Sequence, residues 1–253
     1  MQNEAYNLGL VSVSFRPYPP REIVQAVKAA GLRVIEWGSD IHAPCRDIAR
    51  LEEIAALQAE YGISCCSYGT YFRLGETDLS ELKDYISAAK RLGTDILRLW
   101  CGTKSGPEMS AEEKENLFAQ CVQAEALARE AQVTLCMECH QHTFTQHLAD
   151  ALELMEKINS PHFRMYWQPF QWQEAAENLA YAQKIAPYAR HIHVFQWKDA
   201  LRFSLEEGVE EWREYLQQFS GPRTLLLEFM PNNSLEELAG EAAALKKIVG
   251  DEK

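Results

Sequence analysis

Apolar residues fall along this chain in two alternating patterns. Short runs such as Thr134-Leu-Cys-Met-Glu138 and Thr224-Leu-Leu-Leu-Glu-Phe229 place apolar side chains on successive positions. That pattern suits strands of a parallel sheet, which are buried on both faces. Longer stretches repeat apolar residues at three- and four-residue intervals, as at Ile48, Leu51, Ile54 and Ala55, and read as amphipathic helices. The runs predict strands over 7–15, 32–37, 63–68, 95–101, 134–138, 163–168, 190–195 and 224–229. Between them the pattern predicts a helix begun by Pro20 and stopped by Gly31, and another capped by Asp47 and ended by Gly62. Further helices follow over 78–92, from the Ser110/Glu113 capping box to about 131, and over 149–158, 174–185, 209–219 and 235–249. The segments 38–44, 69–77, 102–107 and 196–199 read as loops.

Strict strand–helix alternation implies a parallel sheet with helical cover. Eight units with no linker between them close into a (β/α)8 TIM barrel, a single α/β domain over 1–253. No Gly-x-Gly-x-x-Gly follows the first strand, so a doubly wound dinucleotide fold is disfavoured and no nucleotide cofactor is expected. The composition, 47% hydrophobic and 25% charged, supports a large core.

Charge and cysteines narrow the setting. A formal net charge of -12 repels polyphosphate, so no nucleic-acid partner is expected. No run of 18 apolar residues is present, so no membrane span is expected. Residues 1–7 lack the basic and apolar parts of a leader, and the seven cysteines are scattered, which suggests reduced thiols and a cytoplasmic location. In Cys136-Met-Glu-Cys139 an offset of three along a strand puts the two thiols on opposite faces, so they are not read as a redox pair.

The chemistry lies at the strand ends, where such barrels build their sites. These ends carry Glu36 and Trp37, Tyr68, Arg98 and Trp100, Glu138, Gln168, His193 and Glu228. In the seventh strand Ile192 and Val194 should face the helices, which turns His191 and His193 inward. Glu138, Gln168, His193 and Glu228 come from neighbouring strands five to eight. Two carboxylates, an amide oxygen and an imidazole suit one divalent metal, Mn, Co, Mg or Zn. Trp37, Trp100, Trp167 and Trp197 either wall a pocket or pack the core. Arg98 and Lys198 either hold an anionic substituent or pair internally with Glu36 or Asp199.

These motifs, in this order, resemble the xylose isomerase-like TIM barrels, which include sugar phosphate isomerases and epimerases and endonuclease IV. The likeness is carried by Ile35-Glu-Trp-Gly-Ser-Asp-Ile-His-Ala-Pro44, Leu97-Arg-Leu-Trp-Cys-Gly102, Glu138-Cys-His140, His191-Ile-His193 with Lys198-Asp199, and Leu227-Glu-Phe229. It implies metal ligands at Glu138, His193 and Glu228. The sixth-strand position departs from the family pattern, offering Gln168 where Asp is usual. It further implies a carbohydrate isomerase or epimerase acting by proton transfer through an enediolate, with Glu138 and Glu228 as acid and base. His42, Trp37, Arg98, Trp100, His140, Trp197 and Lys198 are the substrate-binding candidates. A lyase or dehydratase on a sugar or cyclitol, and a sugar-binding barrel that has lost strong metal binding, remain the alternatives. A DNA-repair endonuclease is disfavoured by the missing Asp and the acidic charge. The expected partner is a small sugar, with homo-oligomerisation left open.

Overall fold

In a computed structural model, which describes residues 6–250, eight parallel strands close into a barrel. They are β1 (Tyr6–Val11), β2 (Val34–Gly38), β3 (Ser64–Leu74), β4 (Ile96–Cys101), β5 (Thr134–Glu138), β6 (Phe163–Trp167), β7 (Ala189–Val194) and β10 (Arg223–Leu227). Two short strands, β8 (Gln196–Lys198) and β9 (Leu201–Phe203), form an antiparallel hairpin between β7 and β10. The helices are α1 (Pro20–Ala29), α2 (Ile48–Tyr61), α3 (Leu82–Leu92), α4 (Ala111–Ala131), α5 (Leu148–Ile158), α6 (Ala175–Ile185), α7 (Val209–Leu216) and α8 (Leu238–Ile248).

The helix boundaries follow local chemistry. Pro20 is the first residue of α1. The Asp47 carboxylate accepts from the Arg50 N–H, and Ser110 and Glu113 close a capping box on α4. Gly62 and Gly93 end α2 and α3 with φ of 66° and 84°, values that favour glycine.

Three expectations about elements are corrected. The third strand continues through the predicted loop to Leu74, because β3 pairs with β4 again at Arg73 and Leu74 after an irregularity. Segment 196–199 belongs mainly to the β8–β9 hairpin, which turns through Asp199 at φ 53°. Residues 12–15 leave the first strand for a 3-10 turn.

The barrel separates two cores. Between strands and helices lies the large outer core, with Leu10, Ile35, Leu97, Leu135, Trp167, Ile192 and Leu227 among its members. Inside the barrel a small cluster of Val11, Val13, Ile96, Cys136, Tyr166 and Leu226 fills the lower part. Cys136 and Cys139 fall in different cores, and all seven cysteines are free. His191 and His193 both pack on Tyr166, with ring centroids 5.1 Å apart in each case, so both histidines face inward.

Gly9 sets the closure between β1 and β2. A Cβ there would lie 2.2 Å from the Val34 carbonyl oxygen, which is backbone and has no rotamer by which to move away. Gly9→Ala is therefore expected to destabilise the fold by about 1–3 kcal/mol, the usual cost of overpacking. Urea unfolding would measure it, and a loss under about 0.5 kcal/mol would contradict this account of the β1–β2 contact.

Candidate active site

At the C-terminal mouth of the barrel a pocket of about 310 Å³ opens over the strand ends. Its floor carries Arg98, Trp100, Glu138, His140, Gln168 and Glu228. Glu138 is the last residue of β5, and Gln168 and Glu228 directly follow β6 and β10. Glu228 extends the sheet by donating its N–H to the Val194 carbonyl. Phe229 then turns at φ 53°, with its N–H held by Ser14 Oγ at 2.9 Å. A ladder bond before the carboxylate and a sharp turn after it fix where Glu228 points.

Beneath the floor His193 is fully buried. Its Nδ1 lies 2.8 Å from Gln168 Oε1, 3.3 Å from Glu228 Oε2 and 3.6 Å from Glu138 Oε1. Ligand atoms of Glu138, His193 and Glu228 all lie within 4.8 Å of one another. The expected four-residue cluster therefore forms around one ring nitrogen.

The far side of His193 tests whether this set fits a metal. Nε2 is buried without a hydrogen-bond partner and lies 3.7 Å from Glu36 Oε1. The contact with Gln168 Oε1, an acceptor, calls for a proton on Nδ1, and a metal would take that proton's place while Glu36 holds the N–H at Nε2. Glu138 is divided in the same way. Its Oε2 accepts from Arg98 and from Trp100 Nε1, while Oε1 is the atom facing His193. The donor set fits a divalent cation, with two carboxylates, an imidazole nitrogen and a neutral amide oxygen.

A buried ion network holds these groups. Arg98 Nε donates to Glu36 Oε1 at 2.8 Å, and Arg98 Nη1 donates to Glu138. Ser67 Oγ donates to the other oxygen of Glu36 at 2.8 Å. A bulge makes that bond: Ile35 pairs with Cys65 but Glu36 pairs with Ser67, so β3 gains one residue at this level. Gly69 leaves room for the pair, since a Cβ there would come within 2.7 Å of Glu36 Oε1 and 2.9 Å of Arg98 Nη2. Burial alone would raise the carboxyl pKa of Glu138, yet the charge of Arg98 and the nearby His193 outweigh it and bring the value to about 2. The same balance, against Arg98 and His193, holds Glu36 below the usual carboxylate range. Burial disfavours a charged His193, but Glu228, Glu138 and Glu36 together push its pKa well above the ordinary value.

The remaining site candidates divide. Trp100, His140 and Trp197 line the pocket, and the His140 ring lies 5.2 Å from that of Trp100. Arg98 also lines it but is committed to Glu36 and Glu138, so the internal ion pair is the arrangement found. Trp37 is not a pocket wall: it is fully buried and donates to Gln58 of α2 at 2.8 Å, because alternation turns it outward where Glu36 turns inward. Trp167 is likewise outside the barrel, against Trp212, Tyr215 and Phe219. His42 is buried between Ser12 Oγ at 3.0 Å and the Tyr18 carbonyl at 3.2 Å, and does not line the pocket. Burial lowers its pKa, so it acts as a neutral strut between loops. Lys198 is exposed on the hairpin and outside the lining.

The sequence reading missed the aromatic rim of Tyr71, Phe170, Trp172, Phe195 and Phe229. Each stands within a few residues of a strand end, which was the available signal. On the hairpin side Arg202 lies 4.8 Å from both Trp197 and Phe229, over their rings.

A family model described as "Xylose isomerase-like TIM barrel" matches residues 24–248. Among solved structures, the probable 3-DHS dehydratase AsbF of Bacillus anthracis superimposes with a TM-score of 0.81 at 18% identity, covering 95% of this chain and 98% of that chain. D-Psicose 3-epimerase of Clostridium cellulolyticum H10 gives a TM-score of 0.70 at 10% identity, over 95% of this chain and 97% of that chain. A xylose isomerase-like TIM barrel protein of Mycobacterium smegmatis, solved in complex with magnesium, gives 0.68 at 14% identity over 97% of both chains. No curated protein matches the chain in sequence.

Replacing Arg98 by Leu leaves Glu36 and Glu138 buried without their cation. The expected loss is about 3–5 kcal/mol of stability in urea unfolding. Arg98→Lys, which keeps the charge but not the two-pronged reach, should lose less than Arg98→Leu. Equal stability of wild type and Arg98→Leu would refute the network as a structural element.

Proposed function

The chain belongs to the xylose isomerase-like TIM barrel family, and from that premise we propose that it is a divalent-metal-dependent isomerase or epimerase of a sugar. The observation that carries this reading is the convergence of Glu138, Gln168 Oε1, His193 Nδ1 and Glu228 beneath one pocket. Those four groups would hold the metal. When bound, it supplies Lewis-acid polarisation of a substrate carbonyl and its neighbouring hydroxyl.

The chain's own groups do the rest. Arg98 and Trp100 hold one oxygen of Glu138 and keep that carboxylate ionised. Glu228 is less restrained, with His193 as its one side-chain partner among the described residues. Glu228 takes the proton from the carbon beside the carbonyl, leaving an enediolate, and is the freer of the two carboxylates to carry and return it. Return of that proton by Glu228 to the neighbouring carbon exchanges ketose and aldose, whereas inversion of the first carbon needs Glu138, on the opposite face, to take a proton from solvent first and give it to that carbon, with Glu228 releasing its own to solvent. The rim of Tyr71, Trp100, Phe170, Trp172, Trp197 and Phe229 offers apolar faces to the C–H side of a sugar and shields the reacting centre from water. His140, with Nδ1 bound to the Gln141 carbonyl at 2.7 Å, presents its other nitrogen for a substrate hydroxyl.

The test begins with metal content of protein purified without chelator, followed by thermal shifts with Mn²⁺, Co²⁺, Mg²⁺ and Zn²⁺. The expected outcome is a rise in melting temperature that Glu138→Gln abolishes. Free ketoses and aldoses are then screened in D2O by NMR, where isomerisation or epimerisation exchanges the carbon-bound proton. Glu228→Gln should lower kcat by about 10²–10⁴-fold, the usual worth of a positioned acid–base group. Loss of water from the substrate without an isomeric product would make the protein a dehydratase. Absence of both metal response and exchange would overturn the enzymatic reading in favour of a sugar-binding barrel.

A further inference from the structure

The opposite, N-terminal end of the barrel holds a second cavity, of about 380 Å³. Three arginines line it: Arg164 near the start of β6, Arg190 near the start of β7 and Arg223 at the start of β10. Those strands are consecutive around the barrel, and Thr224 pairing with His191 sets Arg223 beside Arg190. At the β6–β7 seam the register passes from Met165–Ala189 to Tyr166–His191, so Arg190 is skipped and left without a strand partner there.

Charge makes this cluster unusual for the chain. Acidic residues outnumber basic ones, 37 to 25, and most arginines elsewhere find carboxylates, as Arg16 does Asp40, Arg21 Glu60 and Arg46 Asp84. The three at this cavity form no ion pair among the described residues, and no Asp or Glu is in its lining. Asp95 acts on Cys136 from nearby, as Arg190 and Arg164 do, but no ion pair joins it to either arginine among the described residues. Burial and the repulsion of Arg190 and Arg164 hold the Arg223 guanidinium below its ordinary pKa.

Two of the three arginines are also fixed in place. Arg164 donates to the Pro187 carbonyl, and Arg223 donates to the carbonyls of Pro222 at 2.9 Å and Ala186 at 3.4 Å. Backbone carbonyls orient these guanidinium groups but neutralise none of their charge. Buried polar atoms are left over as well: Arg223 Nε and His191 Nδ1 have no hydrogen-bond partner, and His191 is about nine-tenths buried in the same lining. Held guanidinium groups with spare donors match the oxygens of a dianion.

We infer that this cavity binds a phosphate group, as inorganic phosphate or as the phosphate of a small ester, at a site separate from the pocket over Glu138 and Glu228. The occupant neutralises three like charges at the ends of adjacent strands, so it stabilises the fold by binding only the folded state.

Thermal shift and calorimetric titration of the full chain test this, using inorganic phosphate and glycerol 3-phosphate against chloride at constant ionic strength. Wild type should show a saturable rise in melting temperature. Arg190→Gln removes an exposed, unpaired side chain and one of three like charges, so it should not lower the melting temperature without phosphate and should weaken binding about tenfold or more. Arg223→Gln should weaken it too, and Glu138→Gln, at the other mouth, should not. Response to inorganic phosphate alone identifies the free ion as ligand, and response to both identifies the shared phosphate group. No shift, an equal shift in Arg190→Gln, or a shift abolished by Glu138→Gln would overturn the proposal.

Discussion

The guanidinium of Arg98 is the charge on which the inside of the barrel depends. It is almost fully buried and binds Glu36 on one side and Glu138 on the other. Neither carboxylate would remain ionised in that interior alone, because removal from water costs an isolated charge several kcal/mol. One planar cation with a forked set of donors serves two acids on different strands, which a lysine could not do with the same geometry. The bulge that aligns Ser67 with Glu36, and the bare Cα of Gly69, are the backbone's accommodation of that pair.

Function is layered on this balance. Because Arg98 and Trp100 hold one oxygen of Glu138, the other is the one turned toward His193 and Glu228. Glu36 faces the remaining nitrogen of His193 and so bears on which ring nitrogen keeps its proton. Arg98, Glu36 and Glu138 are thus each held by a partner on another strand. The rim is different in kind. Its aromatic residues come largely from connections after the strands and pack on one another, as Trp197 does on Phe195 and Phe229. A rigid charged floor and a replaceable apolar rim are how a barrel of this kind separates chemistry from choice of substrate.

Much of the fold was legible because its signals are local. Pro20, Asp47, Ser110 with Glu113, Gly62 and Gly93 act within a turn of where they stand, and the structure places helix ends at or next to each. The inward turn of His191 and His193 was legible from two-residue alternation. The β8–β9 hairpin was not, because three-residue strands carry too little pattern. The continuation of β3 to Leu74 was hidden for another reason: Tyr71, Phe72 and Arg73 are held there by β4 and not by any preference of their own. Trp37 and Trp167 show the limit of counting aromatics near strand ends. Each lies one position from an inward residue, and that single step assigns it to the outer core.

The sequence by itself determined the order of eight strands and eight helices, and it determined that Glu138, Gln168, His193 and Glu228 stand at four successive strand ends. Period, capping and breaker residues suffice for that, because they act over a few residues. Tertiary structure alone decided what those side chains face. Arg98 and Glu36 are 62 residues apart, and local pattern left their pairing as one of two alternatives. Nor does local pattern show that His42 is spent on Ser12 and Tyr18, or that Arg164, Arg190 and Arg223 gather at one end. Barrel closure makes these encounters, by bringing strands distant in the chain to one axis, and there charge and burial are settled among neighbours that sequence spacing does not reveal.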